Sequence, residues 1–260
     1  MIKNSLQFLG TGSSMGIPVV GCCCSVCKST NPKDKRTRSS IILNLNGKKI
    51  LVDSTPDFRT QALTHDVQNI DGVIITHMHY DHIAGIDDLR VFNYRNKTRM
   101  PLLMHRESFK DFYHKYYYLF EERDNKLAQR AKFDIDIVED QSGQFNFLDN
   151  RFSYFSYSQA KMHVLGLRYK SFAYVTDIRD YDDSIFDHLK DVEILVVSAL
   201  RESESQVHFN IDEAVQFAKK IKAKKTYFIH MAHEIKHEVI SKKLPDGIEL
   251  SYDGLTLELN

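Results

Sequence analysis

Residues 72–88, GVIITHMHYDHIAGIDD, set three histidines and an aspartate within six positions directly after an apolar run. A short β-branched segment opened by glycine is the pattern of a buried strand. The imidazoles therefore stand where a rigid scaffold ends and side chains can face a cleft. From this chain's composition, His-x-His-x-Asp-His arises by chance roughly once in a thousand such sequences. Alternation sets His77 and His79 on one side of an extended segment, and Asp81 and His82 follow at the turn. Neutral imidazoles and carboxylate oxygens are ligands suited to zinc, manganese or iron. Isolated histidines carry no such weight: His65, His105, His114, His188 and His237 are expected to be surface or core residues with ordinary hydrogen bonds.

Around this cluster the chain alternates short strands with helices and shows no repeat, low-complexity tract or linker. The stretch SSIILNLNGKKILVD is two apolar runs joined at Asn46-Gly47, a pair that tolerates the positive φ of a tight hairpin turn. Thr55 and Pro56 offer the start of a helix, and GIDDLRVFNY is expected to be helical. In the second half FSYFSYS, HVLGLRYK, SFAYVTD and VEILVVSAL read as strands. Asn210 and Glu213 form a capping-box pair ahead of an amphipathic helix, and IELSYDGLTLEL is expected to close as a hairpin turned at Asp253-Gly254. Hairpins mixed with helices in both halves imply an α/β protein of two packed sheets with helices outside.

A length of 260 residues accommodates one large domain, taken as residues 1–260. Thirty-five basic and thirty-five acidic side chains cancel to a formal charge of +0, so no global field draws the chain to nucleic acid or anionic lipid. No segment approaches the roughly 18 apolar residues of a membrane span, and the N-terminus has no secretory pattern. A cytoplasmic protein without membrane attachment is expected, and the sequence leaves room for a homodimer.

The histidine cluster resembles the signature of the metallo-β-lactamase superfamily, and the resemblance extends along the chain. It implies an αββα sandwich of two mixed sheets flanked by helices. The family's later ligands are matched, in order and context, by His163 in KMHVLG, Asp177 in YVTDIRD and His230 in YFIHMAH. The resemblance thus implies two divalent ions, manganese or zinc: one on His77, His79 and His163, the other on Asp81, His82 and His230, with Asp177 between them. Hydrolysis by hydroxide held at such a pair needs no covalent enzyme intermediate. Asp81 stands where it could also orient that hydroxide or accept its proton. Asp53, ending ILVD, is a candidate partner for a ligand histidine, with a turn role as the alternative.

All four cysteines fall within six positions, a poor arrangement for disulfides and a good one for a metal. Cys22, Cys24 and Cys27 supply three thiolates, and His233, three residues beyond His230, offers a fourth ligand for a structural zinc. Cys23 is left without a role. These features, with GTGSSMGIPVVGC, resemble the phosphodiesterase branch of the superfamily, whose members include the cyclic phosphodiesterase of the carbon-phosphorus lyase pathway. That branch has a histidine after Ala-Leu-Arg placed to protonate the leaving oxygen. His208 in SALRESESQVHF matches it, and a group near pKa 6.5 can donate at neutral pH; Arg201 is a further candidate for phosphate.

The resemblance implies a small, cyclic or nucleotide-like phosphodiester as substrate. A ribonuclease Z-like nuclease and a glyoxalase II-type thioesterase are the alternatives. Ribonuclease Z carries a long tRNA-gripping arm between the ligand histidine and the bridging aspartate. Here only thirteen residues, 164–176, separate His163 from Asp177, so no large nucleic acid is expected. Residues 95–144, rich in tyrosine and phenylalanine, are the expected cover over the site, where aromatic rings could stack a base.

Overall fold

The computed structural model describes residues 3–121 and 130–259. Residues 122–129, part of the expected aromatic cover, lie outside the described residues. The first sheet is built from β1 (Ser5–Gly10), β2 (Ser40–Leu45), β3 (Lys48–Val52), β4 (Gly72–Ile74), β5 (Met100–His105) and β6 (Phe133–Val138). The second contains β7 (Ser142–Phe147), β8 (Asn150–Gln159), β9 (Met162–Tyr169), β10 (Phe172–Val175), β11 (Ile194–Ser198), β12 (Lys225–Ile229) and β13 (Ile248–Leu250). The last strand, β14 (Thr256–Glu258), returns to the first sheet beside β1. Among the described residues each sheet has seven strands, antiparallel over its hairpins and parallel from β3 to β6 and from β10 to β13.

Residue alternation sorts the side chains into layers. On β2 and β3, Ile41, Leu43, Ile50 and Val52 join Leu165, Leu167, Tyr174 and Ile229 of the second sheet in a core between the sheets. Ile42 and Leu51, one residue out of phase, pack with Phe58, Phe92 and Phe112. Those rings belong to α1 (Phe58–Thr64), α3 (Arg90–Asn96) and α4 (Arg106–Lys115); between α1 and α3 lies the one-turn α2 (Tyr80–Ile83). On the far side α5 (Ile185–His188) and α6 (Ile211–Ile221) set Ile185, Val215 and Phe217 against Leu195, Val197 and Phe228. A short α7 (His237–Ser241) follows β12. Period-2 alternation on strands with three apolar layers defines an αββα sandwich.

Several local expectations hold. Asn46 and Gly47 turn the β2–β3 hairpin with φ of 50° and 81°. Asn210 and Glu213 form the reciprocal capping box of α6. Two differ. Helix α1 begins at Phe58, with Asp57 at its cap; Thr55 instead accepts the Asp57 amide proton, and Pro56 lies before the helix. Asp253-Gly254 does not close a hairpin, because β13 pairs with β12 and β14 with β1. The turn carries the chain from one sheet to the other. The Asp253 carboxylate accepts the Thr37 amide and both threonine hydroxyls of Thr11 and Thr37, and Gly254, at φ 92°, donates its N–H to Phe8. Local turn chemistry is read correctly there, but its partners are distant in sequence.

Candidate functional site

The site lies at the ends of parallel strands, where three non-glycine residues take positive φ: Asp53 after β3 (64°), Asp177 after β10 (53°) and His230 after β12 (58°). Such conformations are uncommon outside glycine and persist when the surroundings hold them. Each turns the chain sharply at a strand end, and all three side chains are buried in one cluster with His77, Asp81 and His82.

Among the described residues three overlapping groups of His/Asp donor atoms converge, each within 4.8 Å: His77, His79 and Asp177; Asp81, His82 and His230; and Asp177, His208 and His230. His77 Nε2 lies 3.0 Å from His79 Nδ1 and 3.7 Å from Asp177 Oδ2. His82 Nε2 is 3.4 Å from Asp81 Oδ2 and 3.5 Å from Asp177 Oδ1. His230 Nε2 is 3.3 Å from Asp81 Oδ2 and 3.5 Å from Asp177 Oδ2. Asp177 thus faces both of the first two groups.

The opposite ring nitrogens of His82 and His77 are tied down, whereas that of His230 is buried without a hydrogen-bond partner. His82 Nδ1–H donates to Asp53 Oδ2 at 2.7 Å. The Thr76 hydroxyl donates to the same carboxylate and accepts from His77 Nδ1–H at 3.0 Å. Asp53 therefore both shapes the turn and orients ligand imidazoles. Burial works against charge on Asp177 and Asp81, but His230 and His82 outweigh it and hold both carboxyls below their usual range. Burial, with the charge of His82, pushes His77 well down. The result is ionised carboxylates facing a neutral imidazole. His82 Nε2 is buried without any hydrogen-bond partner, which is the state expected of an atom reserved for a cation. This donor set fits divalent metal.

His163 stands elsewhere. Its ring stacks on His105 with centroids 3.7 Å apart, the charges acting on it are His105 and Glu107, and it joins no ligand group. It shares the register of Leu165 on β9, so alternation sends it to the side facing the first sheet, where β5 ends at His105. Across the Ala160-Lys161 turn, Gln159 instead lies beside His208. Gln159 is buried, its Nε2 lies 2.9 Å from His208 Nε2, and its Oε1 has no partner. No motif marked Gln159 in the sequence.

His208 reaches the site because the loop after β11 folds back, with Leu200 N–H donating to Phe209 O and Ile211 N–H to Arg201 O. Its Nδ1 is 3.9 Å from Asp177 Oδ2, and its ring lies on His230 at 4.6 Å. Burial and then the charge of His230 lower it to about 4. It is thus held neutral at pH 7, where an unperturbed histidine would be partly protonated. Arg201 is engaged with the Glu204 carbonyl and, at 3.6 Å, Glu234. In the aromatic stretch Phe109 and Phe112 pack with Phe120 and Phe133, while Tyr113 and Tyr117 are exposed.

The cysteines form a separate cluster. His233 Nδ1 lies 3.3 Å from Cys22 Sγ, 3.5 Å from Cys24 Sγ and 3.7 Å from Cys27 Sγ. Zinc bonds of about 2.0–2.3 Å in a tetrahedron imply donor separations of roughly 3.5 Å, so the four atoms fit that ion. The Cys27 amide N–H holds the Cys24 thiol down to about 6, while burial pushes Cys27 up to about 11. Cys23 is exposed and outside the group.

The layered fold and the His/Asp cluster define a metallo-β-lactamase-type hydrolase, a fold that implies divalent metal. A family model described as the beta-lactamase superfamily domain matches residues 48–231, and the chain belongs to that superfamily. It resembles the PhnP branch: a solved structure described as a new diphosphatase from the PhnP family is 34% identical, with a TM-score of 0.90 over 99% of this chain and 98% of that one. Zinc-bound PqqB from Methylobacterium extorquens (17% identical, TM-score 0.79, 98% of this chain and 100% of that one) shares the fold. So does the short form of human tRNase Z (15%, 0.72, 98% and 99%). A curated relative from Porphyromonas gingivalis (strain ATCC BAA-308 / W83), named octanoyltransferase, is 32% identical over 251 residues, 95% of this chain and 50% of the relative. The chain thus spans half the length of that relative. No helix among the described residues is long and apolar enough to cross a membrane.

Proposed function

We propose that the chain is a metal-dependent phosphodiesterase acting on a small, cyclic or nucleotide-like phosphodiester. The observation that carries this reading is the 34% identity over nearly the whole chain to a protein described as a diphosphatase, since a diphosphate and a phosphodiester present the same kind of anionic phosphorus centre. Zinc or manganese ions would be held by His77, His79 and Asp177 on one side and by Asp81, His82 and His230 on the other, Asp177 facing both. When bound, such ions would polarise phosphate oxygens and lower the pKa of a water. Asp81, kept ionised, is a proton acceptor within the cluster. His208 holds its imidazole beside Asp177, where, once protonated in the complex with a phosphate anion, it can pass a proton to the leaving oxygen. Cys22, Cys24, Cys27 and His233 would hold a separate structural zinc.

The tight turn at Lys170-Ser171 joining β9 to β10 supports a small substrate over RNA. The cysteine-histidine cluster and His208 favour a phosphodiester over a thioester.

The test is the initial rate, with added manganese, on a 2′,3′-cyclic nucleotide, a diester of diphosphate and a thioester of glutathione, with Asp177→Asn as blank. Turnover of the phosphate esters, lost in the variant, is expected. Thioester turnover alone would overturn the reading.

A further inference from the structure

Resting on that reading, the two ion positions are not equally provided for. Asp81, His82, His230 and one Asp177 oxygen give four protein donors on one side, enough to close a tetrahedral shell. On the other side His77, His79 and Asp177 give three; His163, stacked on His105 with both ring nitrogens buried and without a hydrogen-bond partner, lies outside the group.

We propose that the Gln159 carboxamide oxygen supplies the fourth protein contact on the His77–His79–Asp177 side, making the paired site intrinsically unequal. Gln159 is 4% exposed. Its amide N–H is given to His208 Nε2 at 2.9 Å, and His208 in turn adjoins Asp177. The amide oxygen left over is buried and has no donor. A buried carbonyl oxygen without a partner is destabilising, and a cation held by the neighbouring ligands would satisfy it. The residue is also held rigidly: it is the last of β8, paired with Met162, and the next two residues, Ala160 and Lys161, turn with φ of 47° and 70°.

The consequence is chemical. A neutral amide oxygen is a poorer donor to zinc than imidazole and a fair one to manganese. One ion is therefore held tightly by the Asp81 side, and the other is exchangeable and selective for harder cations. The same amide couples that ion to the orientation of His208.

The experiment is a manganese titration of the purified protein with its thiolate site zinc-loaded, following free Mn(II) by electron paramagnetic resonance. Wild type is expected to bind two Mn(II) with affinities at least about tenfold apart. Gln159→Leu should weaken only the weaker site, and Gln159→His should bring it close to the tighter one and shift its preference toward zinc. The histidine variant keeps the test decisive should the leucine variant fold poorly. Two wild-type-like Mn(II) sites in both variants would overturn the inference while leaving the proposed function intact. Absence of any Mn(II) or Zn(II) uptake at the paired site in wild type would overturn both.

Discussion

The Asp53 carboxylate sits 2.7 Å from His82 Nδ1 and thereby fixes which nitrogen of His82 faces the Asp81–Asp177 cleft. Asp53 also receives the Thr76 amide and hydroxyl, and through that hydroxyl it sets the tautomer of His77 as well. One buried carboxylate therefore orients a histidine from each of two ligand groups. Removing such a partner costs metal affinity about 10- to 100-fold. Asp53→Asn is expected to lose paired-site metal on dialysis while the thiolate zinc stays, read as metal content per chain. Full retention of metal would show that packing alone orients the rings.

Cys24→Ser removes one of the four donors around His233. Zinc content should fall by about one per chain. The melting temperature should drop more than the turnover of metal-saturated enzyme at low temperature. The reason is position: the thiolate cluster ties residues 19–27 to the segment after β12 and includes none of the Asp177 ligands. Unchanged zinc would remove the thiolate site.

His208→Ala should slow a substrate with a poor alkoxide leaving group by about 10²-fold or more, and one with an activated aryl leaving group far less. Because burial and His230 hold this imidazole at about 4 in the free protein, a phosphate anion must raise it in the complex for it to act as an acid. The basic limb of kcat should accordingly lie at higher pH than that of kcat/KM. Equal losses on both substrates would leave His208 as a phosphate contact only.

His237 is buried against Arg36, whose guanidinium lies 3.0 Å from its Nδ1. Burial first, then Arg36 and Lys33, lower it to about 4. The unfolded chain takes up this proton near 6.5, the native one only near 4. The contribution is thus complete above about pH 6.5 and is lost as pH falls through that window. His237→Gln should reduce the slope of stability against pH there by up to about one proton, measured by urea unfolding at matched metal content. An unchanged slope would assign the acid sensitivity to other groups.

Local chemistry, legible in the residues alone, determined the hairpin at Asn46-Gly47, the capped helix at Asn210 and the amphipathic alternation that sorts Ile41 from Ile42. The signature at residues 77–82 is legible for the same reason: a metal-binding turn compresses several donors into one short segment. Cys22, Cys24 and Cys27 share that property. What only the tertiary structure decided involves pairings across long sequence distance. The Asp253 turn looks like a hairpin in isolation, yet its carboxylate is taken by Thr37 and Thr11, and the strands it joins belong to different sheets. His163 has the right residue type and neighbourhood in the chain. The register of the β8–β9 hairpin directs it to His105, however, and leaves Gln159 beside His208. Because side chains alternate with period two, a register is a choice of face, and that choice is made by the packing of whole sheets rather than by the residues around one histidine.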